Sequence, residues 1–395
     1  MNDFDIIIIG SGMSGLCLAN LLLKQTDFSI AVVGALNPEQ NKNTARVCAF
    51  NYNSLNIIRY INCDDDFFHK NCSFYNDVNI WQDSKKVLNF NALDLGMSNL
   101  GGVIANHIVE LELWEKLKNN DRVKLYCPAE ANSCVFKSNK YYVKLNHDKE
   151  LSGKLLVGAD GKNSWVRQQV GITTTNSSYK QNAIVAKLSS SKIHKKAAWQ
   201  KFISTGPLAF LPLAKDNEVS IVWSAATQYA TDLMQMSDSD FTQALAVESD
   251  NFLGDFSLLS KRFSYKLESQ HARSYIANKA VLIGDAAHVA HPLAGQGVNA
   301  GLLDAAILSM YLSQVKDLQK AIVSYQKDTR GRNSGLIFAM GQIKNFFETS
   351  NPLISFGRSF GMDLVNKSTC LKKNLAKHAL GLNDRLPSSI INDTR

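Results

Sequence analysis

A chain of 395 residues that is 45% hydrophobic and 20% charged is long enough for one large or two medium cores, and its composition excludes fibrous and disordered classes. A formal charge of +8 permits attraction to anionic membrane surfaces or phosphate-bearing ligands, but the Lys and Arg are dispersed and no nucleic-acid-binding motif accompanies them. Seven cysteines, odd in number and without a CxxC pair, argue for reduced thiols in a cytoplasmic protein and against a disulfide frame or metal centre.

The start carries acids where a signal peptide needs positive charge, and no stretch reaches the roughly 18 apolar residues of a membrane span. The expectation is therefore an intracellular protein, with peripheral contact at the inner face of a membrane left open.

Residues 4–9 form a β-branched run, as expected of a strand buried on both faces. The run leads into Gly10-Ser11-Gly12-Met13-Ser14-Gly15, then a predicted helix over 16–24 and a second strand over 29–33. This is the βαβ context that a bare GxGxxG lacks. Gly10 permits the tight turn, Gly12 lets a pyrophosphate approach the backbone, and Gly15 lets helix and strand pack closely. The acid that should follow at the end of the second strand, to hold ribose hydroxyls, is absent: the strand runs into Gly34-Ala35, and the nearest acid is Glu39.

Arg46 precedes a predicted helix over 54–60 and reads either as a cofactor contact or as a surface ion-pair residue. Residues 80–81 and 87–90 are candidate strands of a hairpin. Ile104, Ile108, Leu111, Trp114 and Leu117 fall at helical spacing and predict a helix over 103–117, followed by strands over 123–126 and 141–145. A buried strand from residue 155 then ends at Gly158-Ala159-Asp160-Gly161 and opens a helix. There Asp160 can face a ribityl or pyrophosphate group or simply cap the helix, and Arg167 can steady the acid or an anionic cofactor.

From residue 181 the pattern turns to β, with strands over 183–188, 209–213, 219–224, 263–267 and 275–276, and a helix over 237–245. A third strand–loop–helix unit follows. Residues 281–283 deliver Asp285, the loop carries His288, His291, Pro292, Gly295, Gln296 and Gly297, and a helix is predicted over 298–311 with Asn299 at its start. An acid at a strand tip, glycines that admit a ring, and a helix N-terminus together suit a polar cofactor, although glycine loops also recur for backbone reasons alone. Residues 318–382 read as helical. Lys367, Lys372, Lys373, Lys377 and His378 sit beside an apolar face there, which fits either membrane contact or packing on the chain's own core.

Taken together, GSGMSG, LLVGADGKNSWVR and IGDAAHVAHPLAGQGVNAGLLDA resemble the three flavin signatures of single-component aromatic hydroxylases. HPLAGQGVNAGLLDAA, ANHIVELELWEKL and LKKNLAKHALGLND place the resemblance in the ubiquinone-biosynthesis hydroxylase branch, and it runs from Asp3 to about Asp384. It implies a para-hydroxybenzoate-hydroxylase-like α/β fold. In that fold a Rossmann-like FAD-binding part (1–73, 94–180, 272–345) is interleaved with a mixed β-sheet substrate part (74–93, 181–271) and followed by a helical segment (346–395).

The resemblance further implies FAD cradled by Gly10 to Gly15, with Asp160 and Gly161 near the pyrophosphate and Asp285 on ribityl and pyrophosphate oxygens. Gly295, Gln296, Gly297 and Asn299 would face the isoalloxazine, with Arg46 and Asn106 close by. NAD(P)H would reduce the flavin, O2 would add at C4a, and the hydroperoxide would hydroxylate a polyprenylated phenol. His291 and Pro292, on the loop nearest the reacting edge, are the candidate catalytic residues, although loop histidines beside a cofactor are more often hydrogen-bonding scaffold. The runner-up readings are a flavin-poor accessory subunit of a ubiquinone-biosynthesis assembly and another FAD-dependent oxidoreductase of the same fold.

Overall fold

The structure is a computed structural model that describes residues 2–40, 46–61, 63–82, 87–146, 148–291, 295–348, 368–382, 384 and 386–393. Ile6, Ile7, Ile8 and Ile9 are all buried, because the strand Asn2–Ile9 runs through the middle of an eight-stranded sheet. It pairs in parallel with Glu150–Gly158 on one side and Ile30–Val33 on the other. Ala280–Leu282 and Val123–Tyr126 extend the parallel run outward. Helices Met13–Gln25, Asn106–Lys118 and Gln296–Gln314 pack around this sheet, so its strands read as unbroken apolar runs.

The register is what matters for function. Ile9 lies opposite both Gly158 and Val33, and Gly158 lies opposite Leu282. The loops opened by Gly10, Gly34, Ala159 and Ile283 therefore leave the sheet side by side at its carboxyl edge, where open parallel sheets bind their ligands.

A nine-stranded, largely antiparallel sheet forms the second layer. Thr174–Ser190 pairs with Phe263–Ala272 and Glu218–Ala226, Gly206–Pro212 and Ala197–Ile203 continue the order, and the hairpin Asp77–Trp81 and Val87–Asn91 closes it. Helices Thr227–Gln235 and Asp238–Glu248 cover one face, burying Trp223, Phe241 and Leu245. A three-stranded sheet of Val47–Asn51, Gly101–Ala105 and Ser73–Tyr75 stands between the two large ones.

The helix expected over 103–117 begins later. Gly101–Ala105 is a strand in which Val103 and Ile104 pair with Ala49 and Cys48, and the helix starts at Asn106. Apolar spacing continues in phase across the junction, so only the tertiary pairing separates the two elements. The strands Ala131–Lys137 and Ala197–Ile203 and the helix Thr227–Gln235 had no counterpart among the expected elements. The tail contributes helices Leu318–Glu348 and Thr369–Ala379, while residues 349–367, Lys367 among them, lie outside the described residues.

Candidate active site

The first loop is built by mutual exclusion of side chains. Gly10 takes φ +123°, and a Cβ there would lie 2.1 Å from the Ala159 carbonyl oxygen. A Cβ on Gly15 would lie 2.1 Å from the Gly10 carbonyl oxygen. Gly12 differs: a Cβ would meet nothing within 4 Å, because Gly12 faces a cavity of about 590 Å³. Gly12 also caps the helix Met13–Gln25 without a side-chain acceptor, so the helix's first N–H groups open onto that space. Met13 is buried in the core. Ser14 packs against both Gly284 and Gly301, where added Cβ atoms would come within 2.8 and 2.5 Å of its Oγ. Ser11 Oγ donates to the Leu36 carbonyl at 3.0 Å.

At the middle loop Asp160 holds the start of the following helix and lines the cavity in front of Gly12. Its Oδ2 accepts from the Val166 N–H at 3.0 Å, while Oδ1 is buried without a partner among the described residues. Gly161 adopts φ +79° and lines the same cavity. Arg167 feels the attraction of the nearby Asp160 carboxylate, but its hydrogen bonds go elsewhere. Its guanidinium donates to the carbonyls of Ala286 and Lys162, both at 2.8 Å, and so ties the middle loop to the third.

The third loop is anchored from below by Asp304, a fully buried carboxylate on the helix Gln296–Gln314. It accepts from His288 Nε2 at 2.6 Å, Arg332 at 2.7 Å, Asn333 at 3.1 Å and the Gly284 N–H at 3.1 Å. Burial pushes this carboxyl up, but His288, Arg332 and Asn333 outweigh it and hold the group below its ordinary range. Asp304 falls inside the third signature but was given no role there, and nothing marked Arg332; the available signal was an acid amid the apolar stretch LLDAAIL.

Asp285, next to Gly284, points into a second cavity of about 410 Å³. Its carboxylate is reachable by water yet walled by protein. Desolvation raises it, opposed by His288 and Arg46.

Gly295, Gln296, Gly297 and Asn299 line this second cavity, as do Arg46 and Tyr265, whose ring lies 5.2 Å beneath the Arg46 guanidinium. Asn299 clamps the helix start to the middle sheet, accepting from Asn51 N–H at 2.9 Å and donating to the carbonyls of Ala49 at 2.9 Å and Gly295 at 2.8 Å. The far walls are apolar: Val78, Ile80, Phe90, Val185, Leu211 and Val222 from the sheets, closed by Ala376 and Leu380 of the tail. Asn106 sits at the start of its helix with Oδ1 buried and unpartnered among the described residues.

His291 is fully buried, with its ring edge-on to Tyr179 and Nε2 3.4 Å from Gln181 Oε1, and it lines neither cavity. Pro292 lies outside the described residues.

The family described as FAD binding domain matches residues 3–332. The 3-demethoxyubiquinol 3-hydroxylase of Escherichia coli is 29% identical over 96% of this chain and 98% of its own length. The mitochondrial ubiquinone biosynthesis monooxygenase of Danio rerio is 28% identical over 95% of this chain and 89% of its own. Among solved structures, p-nitrophenol 4-monooxygenase from Pseudomonas putida superposes with a TM-score of 0.82 at 16% identity, covering 98% of this chain and 100% of that one. HpxO of Klebsiella pneumoniae, solved with FAD and uric acid, gives 0.75 at 14% identity over 99% of this chain and 97% of its own.

Proposed function

The chain belongs to the FAD binding domain family, and on that premise we propose that it is an FAD-dependent monooxygenase hydroxylating a polyprenylated phenol on the route to ubiquinone. The observation that carries the reading is the pair of cavities at one sheet edge, one walled by the glycine loop and the other apolar with Asp285 and Gly295 to Gly297 at its end.

The residues present fit FAD. Open space over Gly12 and the unpartnered Oδ1 atoms of Asn106 and Asp160 are what an extended, hydrogen-bonding ligand would use. In this reading the Gly10–Gly15 backbone and the following helix N-terminus hold the pyrophosphate. Asp285 accepts from the ribityl hydroxyls, which relieves its desolvation. Gly295 and Gly297 let the ring approach the backbone, Asn299 fixes their position, and Arg46 adds positive charge at the same rim. FAD, reduced by NAD(P)H, supplies the chemistry that activates O2.

The chain's own part is to exclude water and orient the phenol. The apolar walls around Val185, Leu211 and Val222 suit a ring with a hydrocarbon tail. His291 enters this reading as scaffold under the loop, since its buried ring packs edge-on to Tyr179 and lines neither cavity. The substrate part is assigned to 74–93 and 181–271, and the FAD part to the parallel-sheet segments.

No helix among the described residues is long and apolar enough to cross a membrane. The reading therefore places access to a prenylated substrate at a membrane surface met peripherally. Other ubiquinone-biosynthesis proteins are natural partners for such a substrate.

The test is a visible spectrum of the purified chain, FAD titration, and mass analysis of a demethoxyubiquinol analogue incubated with NAD(P)H and air. Flavin absorbance and a product heavier by one oxygen support the reading. A chain that cannot be loaded with FAD would move the accessory-subunit alternative ahead.

A further inference from the structure

Gly34 stands where the strand-end acid of a dinucleotide fold belongs, and the structure has closed that position to any side chain. A Cβ on Gly34 would lie 1.9 Å from Ser11 Oγ and 2.4 Å from Ser11 Cβ. The Gly34 N–H and carbonyl are both engaged, with Tyr126 O at 3.1 Å and Ala129 N at 2.8 Å, so the backbone there is fixed as well. The cavity in front of it still needs an acceptor if a ribose is to sit there.

Three acids line that cavity. Glu130 is exposed to solvent. Asp160 has one oxygen committed to the Val166 N–H. Glu110 lines the cavity as well, one turn beyond Asn106 on the same face of the helix Asn106–Lys118. It is half-buried, and its carboxylate has no hydrogen-bond or ion-pair partner among the described residues. Burial raises it, and Arg46 alone is seen to oppose that. A desolvated carboxylate facing the dinucleotide loop, with nothing to bind, is costly unless a ligand supplies donors.

We propose that Glu110 replaces the missing strand-end acid and accepts hydrogen bonds from the adenosine ribose hydroxyls of the bound dinucleotide. The contact has moved from the second strand to the helix Asn106–Lys118, and Ser11 has filled the space left at Gly34. The vicinal diol offers two O–H donors to one carboxylate, a charge-assisted pair. A 2′-phosphate in the same place would be repelled, so the site selects an unphosphorylated ribose. This inference rests on the FAD reading and adds which residue reads the ribose.

The experiment is calorimetric titration of the flavin-stripped full chain with ADP and with 2′,3′-dideoxy-ADP, in the parent protein, E110Q and E110A. The parent is expected to prefer ADP by about 10- to 100-fold, the equivalent of one or two charge-assisted hydrogen bonds. E110A should bind both nucleotides alike, E110Q should fall between, and both variants should keep the parent's affinity for FMN, which lacks the adenosine ribose. A rescue follows from the packing: Ser11→Gly with Gly34→Glu, added to E110A, opens the space a Cβ needs and should restore the preference. An unchanged preference in E110A overturns the inference while leaving the FAD reading intact. Equal loss of ADP and FMN affinity also overturns it, by showing a general disturbance of the site. A parent that binds neither FAD nor ADP overturns both readings.

Discussion

Gly10 and Gly12 are two residues apart and have opposite reasons for being glycine. At Gly10 the requirement is internal: positive φ and a carbonyl where a Cβ would go. Gly10→Ala should destabilise the chain by about 2–4 kcal/mol from strain and overlap, read as a fall in the urea midpoint. At Gly12 the space is empty and the backbone ordinary, so Gly12→Ala should leave stability within about 0.5 kcal/mol. It should still weaken FAD binding at least ~10-fold in a fluorescence titration, because the methyl group projects into the cavity. Equal loss of stability in the two variants would show that the cavity is not what Gly12 serves. The glycine pattern already suggested this division of labour but not the atoms that enforce it, because spacing records which residues are small and not what they would touch. Gly34 was legible as a missing acid. That Ser11 occupies its side-chain space was not, since the two positions meet only when strand and loop pack.

Between elements, the fold relies on small contacts that bring helix, strand and loop to one place. Ser14 is wedged between Gly284 and Gly301, joining the first and third loop units. Gly301→Ala should cost about 1–3 kcal/mol by overlap with Ser14 Oγ, and Ser14→Ala in the same chain should recover most of it. Purely additive losses in a double-mutant cycle would disprove the wedge. The strand pair that carries His288 is sensitive to acid through its neighbour His271, whose Nε2 lies 3.0 Å from the Tyr275 hydroxyl. Burial, with His288 and Arg330 adding to it, lowers His271 to about 4. Above the unfolded value of about 6.5 the ring is neutral in both states and its contribution is complete. Between about 6.5 and 4 the unfolded chain takes up a proton that the folded chain refuses, so stability falls as pH falls. The loss should be on the order of 2 kcal/mol, allowing for the ring's partial exposure, and His271→Gln should flatten the stability difference between pH about 7.5 and about 5. None of this was legible in sequence. The cross-strand pairing of His271 with His288 exists only in the sheet register.

At the scale of the whole molecule, the parallel sheet was readable because strands buried on both faces are continuous apolar runs. Two strands were not: Gly101–Ala105 of the middle sheet carries on the apolar rhythm of the helix it precedes, and Ala197–Ile203 of the nine-stranded sheet lacks a period-2 pattern, with Gln200 and Lys201 side by side within it. The tail was readable as a basic amphipathic helix but left its partner undecided. In the structure the helix Thr369–Ala379 faces two ways. Ala376 closes the apolar cavity, while Leu371 and Leu375 remain 45% and 47% exposed. Lys372 pairs with Asp94 at 3.1 Å, which brings Leu93, 83% exposed, to the same side. Exposed leucines beside lysines, over the end of a cavity suited to a hydrocarbon tail, have the make-up of an interfacial anchor, and the chain's charge of +8 favours anionic lipid. Co-sedimentation with phosphatidylglycerol vesicles should therefore be strong at low salt, weaken as salt rises, and exceed binding to neutral vesicles. Leu371→Glu with Leu375→Glu should reduce it about 10-fold without moving the thermal midpoint, since neither side chain is in the core. Binding that survives this double substitution, or that ignores lipid charge, would place the membrane contact elsewhere on the surface and leave the tail as the wall of the cavity alone.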